Sequence, residues 1–390
     1  MNFEGTMVDR KTCYSVKYKK MEEEGVKEGI PLWVADMDLP VAPAITEALI
    51  QRAKHPYFGY TYIPRKYYEA FAHWQNKRLG LELDIDLISP AHNVVVGLQL
   101  VLEMFRQPGD NVLVQPPVYF PFYSMIEKVG CGRIDNPLIE TDQGYFMDFE
   151  DMEKKIVDNN VKFFILCSPH NPVGRVWNKQ ELERLADICY RHRVIVLSDE
   201  IHCDLIHQGQ HIPFSTISDK AKEISIGFYS SGKTFNLAAL HSAYVVFHSK
   251  HWQEKYEAIS LAQNRGDANC FGIEANIAAF TKSEAWYQEM MSYLQGNIDY
   301  VEDFITSKLS PKIKVRKPQA TFLMWLDCRG LGLNSEELNH FFQEKAKLLL
   351  NEGHIFGEEG KGFMRLNIAA PRYLLEKAME QLKEALDAVE

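Results

Sequence analysis

Between residues 90 and 250 the chain alternates short runs of consecutive apolar, β-branched residues with stretches whose apolar positions recur every three or four residues. The runs are Asn93–Gly97 (NVVVG), Asn111–Gln115 (NVLVQ), Lys162–Cys167 (KFFILC), Val194–Ser198 (VIVLS), Ile224–Tyr229 (ISIGFY) and Ala243–Phe247 (AYVVF). Between them, Leu98, Val101, Leu102 and Phe105 recur at i, i+3, i+4, i+7, as do Leu182, Leu185, Ala186 and Cys189. Continuously apolar strands separated by amphipathic helices predict an α/β architecture with a mostly parallel sheet covered on both faces.

The C-terminal third has another rhythm. A long amphipathic stretch, Ser283–Lys308, precedes a strand-like Thr321–Leu326, a helix near Ser335–Leu350, a strand-like Phe363–Ile368 and a last helix. That pattern predicts an α+β module. The first forty residues read as irregular, with a proline-bounded segment Pro31–Pro40 (PLWVADMDLP). The division expected is a large α/β domain over residues 45–285 and a smaller, discontinuous α+β domain from 1–44 and 286–390.

Composition narrows the function classes. With 46% apolar and 25% charged residues the 390-residue chain is ordinary globular protein. No apolar stretch is long enough for a membrane helix, and no basic-then-apolar leader opens the sequence. A net charge of −10 argues against nucleic acid or an anionic membrane as the main partner. Seven scattered cysteines without a C-x-x-C pair suit a reducing cytoplasm better than a disulfide framework or a zinc site.

The chemistry centres on Tyr229–Leu240 (YSSGKTFNLAAL). Gly227–Thr234 matches the G-x-x-x-x-G-K-[ST] phosphate-loop pattern, and Val194–Glu200 (VIVLSDE) ends in an acidic pair, so a nucleotide hydrolase is one reading. Against it, Gly227 falls inside an apolar run, Phe228 and Tyr229 are bulky, and the acidic strand precedes the loop. The other reading makes Lys233 the Schiff-base lysine of a pyridoxal 5'-phosphate enzyme. That chemistry requires hydroxyls and helix amides for the phosphate, a carboxylate for the pyridinium nitrogen, an aromatic neighbour for the ring and an arginine for an amino-acid carboxylate. Each has a candidate.

Leu32–Asp38 (LWVADMD), Ser168–Trp177 (SPHNPVGRVW), Ser198–Leu205 (SDEIHCDL) and Ser230–Asn236 (SSGKTFN) together resemble the fold-type I pyridoxal-phosphate enzymes of the class I/II aminotransferase superfamily, most narrowly the MalY/PatB-type C–S β-lyases. The resemblance spans nearly the whole chain. It implies an aspartate-aminotransferase-like fold with a seven-stranded-type sheet, and pyridoxal 5'-phosphate as cofactor.

The resemblance also implies roles. Lys233 carries the cofactor and moves the substrate α-proton; Asp199 pairs with the pyridinium nitrogen; Ser230 binds phosphate, with Ser231 a weaker candidate. Asn171 and His202 lie near the phenolic oxygen, Asn171 also within reach of the substrate carboxylate and His202 replacing the tyrosine common in aminotransferases. Gly97, Leu98 and Gln99 open a helix toward the phosphate, and Tyr119 stacks on the ring. Tyr60, with Tyr62 as its local competitor, reaches a neighbouring subunit's phosphate, implying a homodimer with shared sites. Arg365 clamps the substrate carboxylate, with Arg372 the nearest competitor, and Val34 and Ala35 line the same end. His241 stands where aminotransferases usually carry a phosphate-binding arginine. The expected reaction is α,β-elimination on L-cystathionine, L-cysteine or related S-substituted cysteines, giving a thiol, pyruvate and ammonia. An aminotransferase is the nearest alternative; a non-catalytic regulatory protein on the same scaffold is another. The clustered Asp199, Glu200, His202, Cys203, Asp204, His207 and His211 match no defined zinc spacing.

Overall fold

The computed structural model describes residues 3, 10–26, 29–266, 269–309 and 311–388. Its centre is a seven-stranded sheet whose strands we label in chain order: β1 Ile88–Ala91, β2 Asn111–Val114, β3 Gly132–Asp135, β4 Val161–Cys167, β5 Ile195–Asp199, β6 Ser225–Tyr229 and β7 Ala243–Val246. The spatial order is β1-β7-β6-β5-β4-β2-β3. Only β7 runs antiparallel to its neighbours, so the sheet is mostly parallel, as the alternating pattern predicts.

Both faces of the sheet are buried, which is why its strands read as continuous apolar runs. Phe163, Ile165, Leu197, Ile226 and Val245 pack with Leu98, Val101 and Leu102 of helix Val94–Phe105. Phe164, Leu166 and Val196 point the other way, onto Leu182, Leu185 and Cys189 of helix Lys179–Arg191. Each such side chain removed from water contributes roughly 1.5–3 kcal/mol, so the two layers hold the sheet rigid beneath its loops.

One element differs from the sequence expectation in a way that matters for function. Asn93–Gly97 is not a strand. Asn93 caps a helix that begins at Val94, its side-chain oxygen accepting from the Val96 amide at 2.9 Å. The preceding strand is β1, whose Pro90 sits in the edge strand of the sheet, where proline is tolerated. Three consecutive valines favour a strand locally, but Val94, Leu98 and Val101 share one helical face against the sheet, and packing overrides propensity. Gly97 therefore lies inside the helix. A Cβ there would come within 3.1 Å of Val245 and 3.2 Å of Phe228, so glycine serves close helix–sheet packing.

The C-terminal third forms an antiparallel four-stranded sheet in the order Lys314–Val315, Leu323–Asp327, Phe363–Asn367, Asn351–Glu352. The expected helix over Ser335–Leu350 stops earlier, at Lys345, because Leu348–Leu349 pairs in parallel with Ile30–Pro31. The N-terminal region is also more ordered than expected, with a helix over Val16–Glu23.

Candidate active site

The parallel strands β4, β5 and β6 end side by side, with Cys167 opposite Asp199 and Asp199 opposite Phe228. The C-terminal edge of such a sheet is where open α/β folds bind ligands. A cavity of about 370 Å³ opens there, lined by Ala35, Val94–Val96, Tyr119, Asn171, Asp199, His202, Ser230 and Lys233 among others.

Lys233 sits on a single helical turn, Ser231–Thr234, directly after β6. Ser230 caps that turn, accepting from the Gly232 amide at 3.0 Å and donating to the Ser242 carbonyl at 2.7 Å. The Lys233 amine donates to the Ala35 carbonyl at 2.6 Å. Burial, with the charge of Arg365, pushes this amine down to about 8, against the opposing pull of Asp36 and Asp199. Asp199 ends β5 and accepts a hydrogen bond from the Ile201 amide at 3.1 Å. Burial lifts its carboxyl to about 7, opposed by that amide and by Lys233. A buried carboxylate without an ion-pair partner is costly, so Asp199 is set to receive a cationic group.

His202 is buried, and its Nδ1 has no hydrogen-bond partner among the described residues. Burial, then Lys233 and Arg365, lowers its pKa to about 3, so the ring is neutral. Asn171 accepts from Arg365 Nη1 at 3.0 Å. Arg365, mid-strand in Phe363–Asn367, also donates to the Trp33 carbonyl at 3.0 Å and to the Asn351 side chain, while its guanidinium lies 4.8 Å from the Phe356 ring centroid. Burial brings Arg365 down to about 10. Its Nε is buried and unpaired among the described residues. Tyr119 is half-buried on the cavity wall, its phenol raised by burial and by Asp199.

The segment from Trp33 to Leu39 is a strap across this edge. Asn367 donates to the Val34 and Asp36 carbonyls at 2.7 and 2.6 Å, and Asn236 pairs with both the amide and the carbonyl of Met37 at 3.0 Å. Beneath it, fully buried Lys17 bridges Asp36 and Asp38 at 2.9 and 2.7 Å, and Arg10 contacts the same two carboxylates.

Thus Lys233, Asp199, His202, Asn171, Tyr119, Ser230 and Ala35 converge on one cavity, with Arg365 and Val34 directly behind its wall. Gly97, Leu98 and Gln99 do not reach it. The Gly97 amide is spent on the Asn93 carbonyl at 3.0 Å, Leu98 is core, and Gln99 bonds Glu103. The wall is made instead by the first turn of that helix, Val94–Val96, three residues earlier. Tyr60 and Tyr62 are exposed and lie outside the cavity. Sequence reasoning passed over Asn351, Asn236 and the Lys17–Asp38 pair; Asn236 and Asp38 stand in quoted motifs, whereas Asn351 carries no local signal. The phosphate-loop reading of Gly227–Thr234 fails on placement: Gly227 is inside β6, where its Cβ position is filled by the Tyr229 ring. Among the described residues no three His, Cys, Asp or Glu side chains converge as metal ligands.

Comparison with known proteins agrees with this architecture. The chain is 40% identical over 388 residues to cystathionine beta-lyase PatB of Bacillus subtilis, covering 99% of this chain and all of that one. It is 32% identical to protein MalY of Escherichia coli, covering 98% of each. The crystal structure of cystalysin from Treponema denticola, which contains a pyridoxal 5'-phosphate cofactor, superposes with a TM-score of 0.96 at 31% identity over 99% of both chains. Residues 27–384, which hold the whole central sheet together with Lys233, Asp199 and Arg365, match the model for aminotransferase class I and II, and the chain belongs to that family.

Proposed function

We propose that this protein is a pyridoxal 5'-phosphate-dependent C–S β-lyase that converts L-cystathionine, L-cysteine or related S-substituted cysteines to a thiol, pyruvate and ammonia. One observation carries the reading: Lys233, on the turn after β6, and Asp199, at the end of β5, face a single cavity. An enzyme that must attach an aldehyde through lysine and hold a protonated ring nitrogen needs that pairing. The names of the PatB relative and the cofactor in cystalysin support the same assignment.

The residues present fit the cofactor. Among the described residues Asp199 has no ion-pair partner and the His202 Nδ1 is unpaired, and the first turn of a twelve-residue helix ends at the cavity wall. Asp199 would hold the ring nitrogen, Asn171 and His202 would flank the phenolic oxygen, Tyr119 would cover one face, and the Val94–Val96 turn with Ser230 would receive the phosphate. When bound, the cofactor supplies the electron sink for the carbanion formed at the substrate α-carbon.

The chain's own residues do the rest. Arg365, held by Asn171, Asn351 and the Trp33 carbonyl, presents a guanidinium to the amino-acid carboxylate. Lys233 takes the α-proton, and the Ala35 carbonyl keeps its amine at the cavity. Loss of the β-thiolate follows, with Lys233 or a pocket tyrosine as the proton donor to sulfur. Tyr60 lies on an exposed aromatic segment with Tyr57, Phe58 and Tyr62, which we assign to a homodimer contact that completes the partner's site. We also propose the division into a 45–285 domain and a 1–44 plus 286–390 domain, a reading supported by the separate central and C-terminal sheets. Five of the seven free cysteines are buried, which suits the cytoplasm.

The test is incubation of the purified protein with L-cystathionine in the absence of any oxo acid. Pyruvate and free thiol are expected in equal amounts; strict dependence on an oxo-acid acceptor would instead mark an aminotransferase.

A further inference from the structure

The cavity is poorly supplied with positive charge. Among the described residues lining it, Lys233 is the one lysine or arginine, and its amine is engaged with the Ala35 carbonyl and is needed for chemistry. His202 is neutral. A phosphate monoester brings a charge of roughly −1.5 to −2 at neutral pH. Helix amides and a serine hydroxyl offer partial charges only, about half an elementary charge for the whole helix end. A full cation nearby would add to what these partial charges supply.

Behind the phosphate end lies a second, much smaller void of about 20 Å³, room for roughly one water molecule. Its walls include Tyr67, His92, His241, Ser242 and Arg265. Three of these, His92, His241 and Ser242, also line the main cavity, so the two spaces share a polar partition. Ser242 is already committed, its hydroxyl to Tyr67 and its carbonyl to Ser230. Arg265 is different. It is half-buried, its Nη1 is shut off from solvent, and that nitrogen has no hydrogen-bond partner among the described residues. Nor does Arg265 take part in any ion pair among them. A shielded guanidinium nitrogen without an acceptor costs free energy, which an arriving anion would recover.

We propose that Arg265 is the counter-cation of the cofactor phosphate, acting across the His92–His241–Ser242 partition either directly or through one water. The inference rests on the pyridoxal-phosphate reading above, and adds to it a residue far in sequence from every motif in that reading. The position follows from the fold. Helix Lys250–Ala262 ends in a turn closed by the Arg265 amide on the Ser260 carbonyl at 2.8 Å, which delivers the side chain to the void beside β1 and β7.

The test separates the phosphate from the rest of the cofactor. Full-length apoenzyme is titrated with pyridoxal 5'-phosphate and, separately, with pyridoxal, following the visible band. Arg265→Met should weaken pyridoxal 5'-phosphate binding on the order of 10- to 100-fold, the range of a lost charged hydrogen bond, and leave pyridoxal unchanged. Arg265→Lys should recover part of the loss. Inorganic phosphate should compete with cofactor uptake in the wild-type apoenzyme and less well in Arg265→Met. Unchanged affinity for pyridoxal 5'-phosphate, or an equal loss for both compounds, overturns the proposal. Absence of any band in wild type would instead overturn the cofactor reading itself. Apoenzyme melting temperatures of both variants identify a folding defect, and Arg265→Lys then carries the comparison.

Discussion

The Lys233 amine and the Ala35 carbonyl meet at 2.6 Å across 198 positions of sequence, so the lysine proposed to carry the cofactor is oriented by the N-terminal strap. Because burial and Arg365 hold this amine near 8, it becomes a competent nucleophile only as the pH rises to that value. The rate constant for cofactor capture by apoenzyme should therefore climb with pH and level off above about 8, as read by stopped-flow absorbance. Lys233→Ala should lose the visible band and reduce turnover by at least about 10²–10⁴. A flat capture profile between roughly pH 6 and 9 would contradict the assigned titration.

Asp199 makes a prediction about stability as well as rate. Its carboxyl is raised from 3.8 to about 7 in the folded apoenzyme. Between those values the native state holds a proton that the unfolded chain has released, so this group's contribution to stability falls as pH rises through the window. Asp199→Asn should thus make the apoenzyme more stable than wild type at about pH 8, by a few kcal/mol at most, with the gap closing toward pH 4. The same substitution should lower turnover of the holoenzyme on the order of 10²–10³. Chemical denaturation at several pH values, with and without cofactor, reads both effects.

If Arg365 holds the substrate carboxylate, as proposed, its substitution should separate substrate binding from cofactor binding. Its guanidinium is fixed by Asn171, Asn351 and the Trp33 carbonyl, a planar arrangement that lysine does not reproduce. Arg365→Lys should raise KM for the amino acid and lower kcat/KM by about 10- to 100-fold, while the affinity for cofactor in the same titration stays near wild type. A parallel loss of cofactor affinity would move Arg365 from substrate clamp to cofactor support.

What the sequence made legible follows from where each residue sits. Asp199 and Ser230 stand at strand ends and Asn171 in a proline-set turn just past one, so apolar runs followed by polar letters expose them. The helical turn that reaches the cavity lies three residues before the expected one, because valines 94 to 96 look like a strand until Val94, Leu98 and Val101 are seen to share a helical face in the core with Phe228 and Val245. Asn351 was hidden because Leu348, Leu349 and Leu350 extend the apolar pattern of the preceding helix, and only pairing with Ile30–Pro31 ends it. The clamp of Lys17 and Arg10 on Asp36 and Asp38 joins residues 19 to 28 apart, from the Val16–Glu23 helix and the turn before it to the strap, and no periodicity links the partners.

That clamp can be broken from either side. Lys17 is fully buried, and Lys17→Met would leave Asp36 and Asp38 with Arg10 alone. Removing one partner of a buried ionic group costs about 3–5 kcal/mol, so a clear fall in melting temperature is expected. Acid should do the same by another route. Burial alone would raise the Asp36 carboxyl, but Lys17 and Arg10 outweigh it and hold it below 3.8. A depressed carboxylate stabilises the fold above its unfolded value and loses that contribution as pH falls through the folded one. The strap should therefore stay closed at neutral pH and loosen only below about pH 4, a transition that Lys17→Met shifts upward; fluorescence of Trp33, whose indole donates to the Lys17 carbonyl at 3.1 Å, reports it.

Tyr60 tests whether the site is shared between subunits. The ring is fully exposed in one chain and lies outside the cavity, so any contribution to a phosphate must be made to another copy. Alone, Tyr60→Ala and Lys233→Ala should each be nearly inactive. Refolded together at equal amounts, they should form hybrid dimers in which one site combines an intact Lys233 from the first chain with an intact Tyr60 from the second, if the proposed shared site is right. Random pairing makes half of the dimers hybrids with one of two sites whole, so about a quarter of wild-type activity should return. If the mixture stays at the level of the separate variants, Tyr60 serves its own chain or none, and the exposed segment carrying Tyr57, Phe58 and Tyr62 needs another occupant.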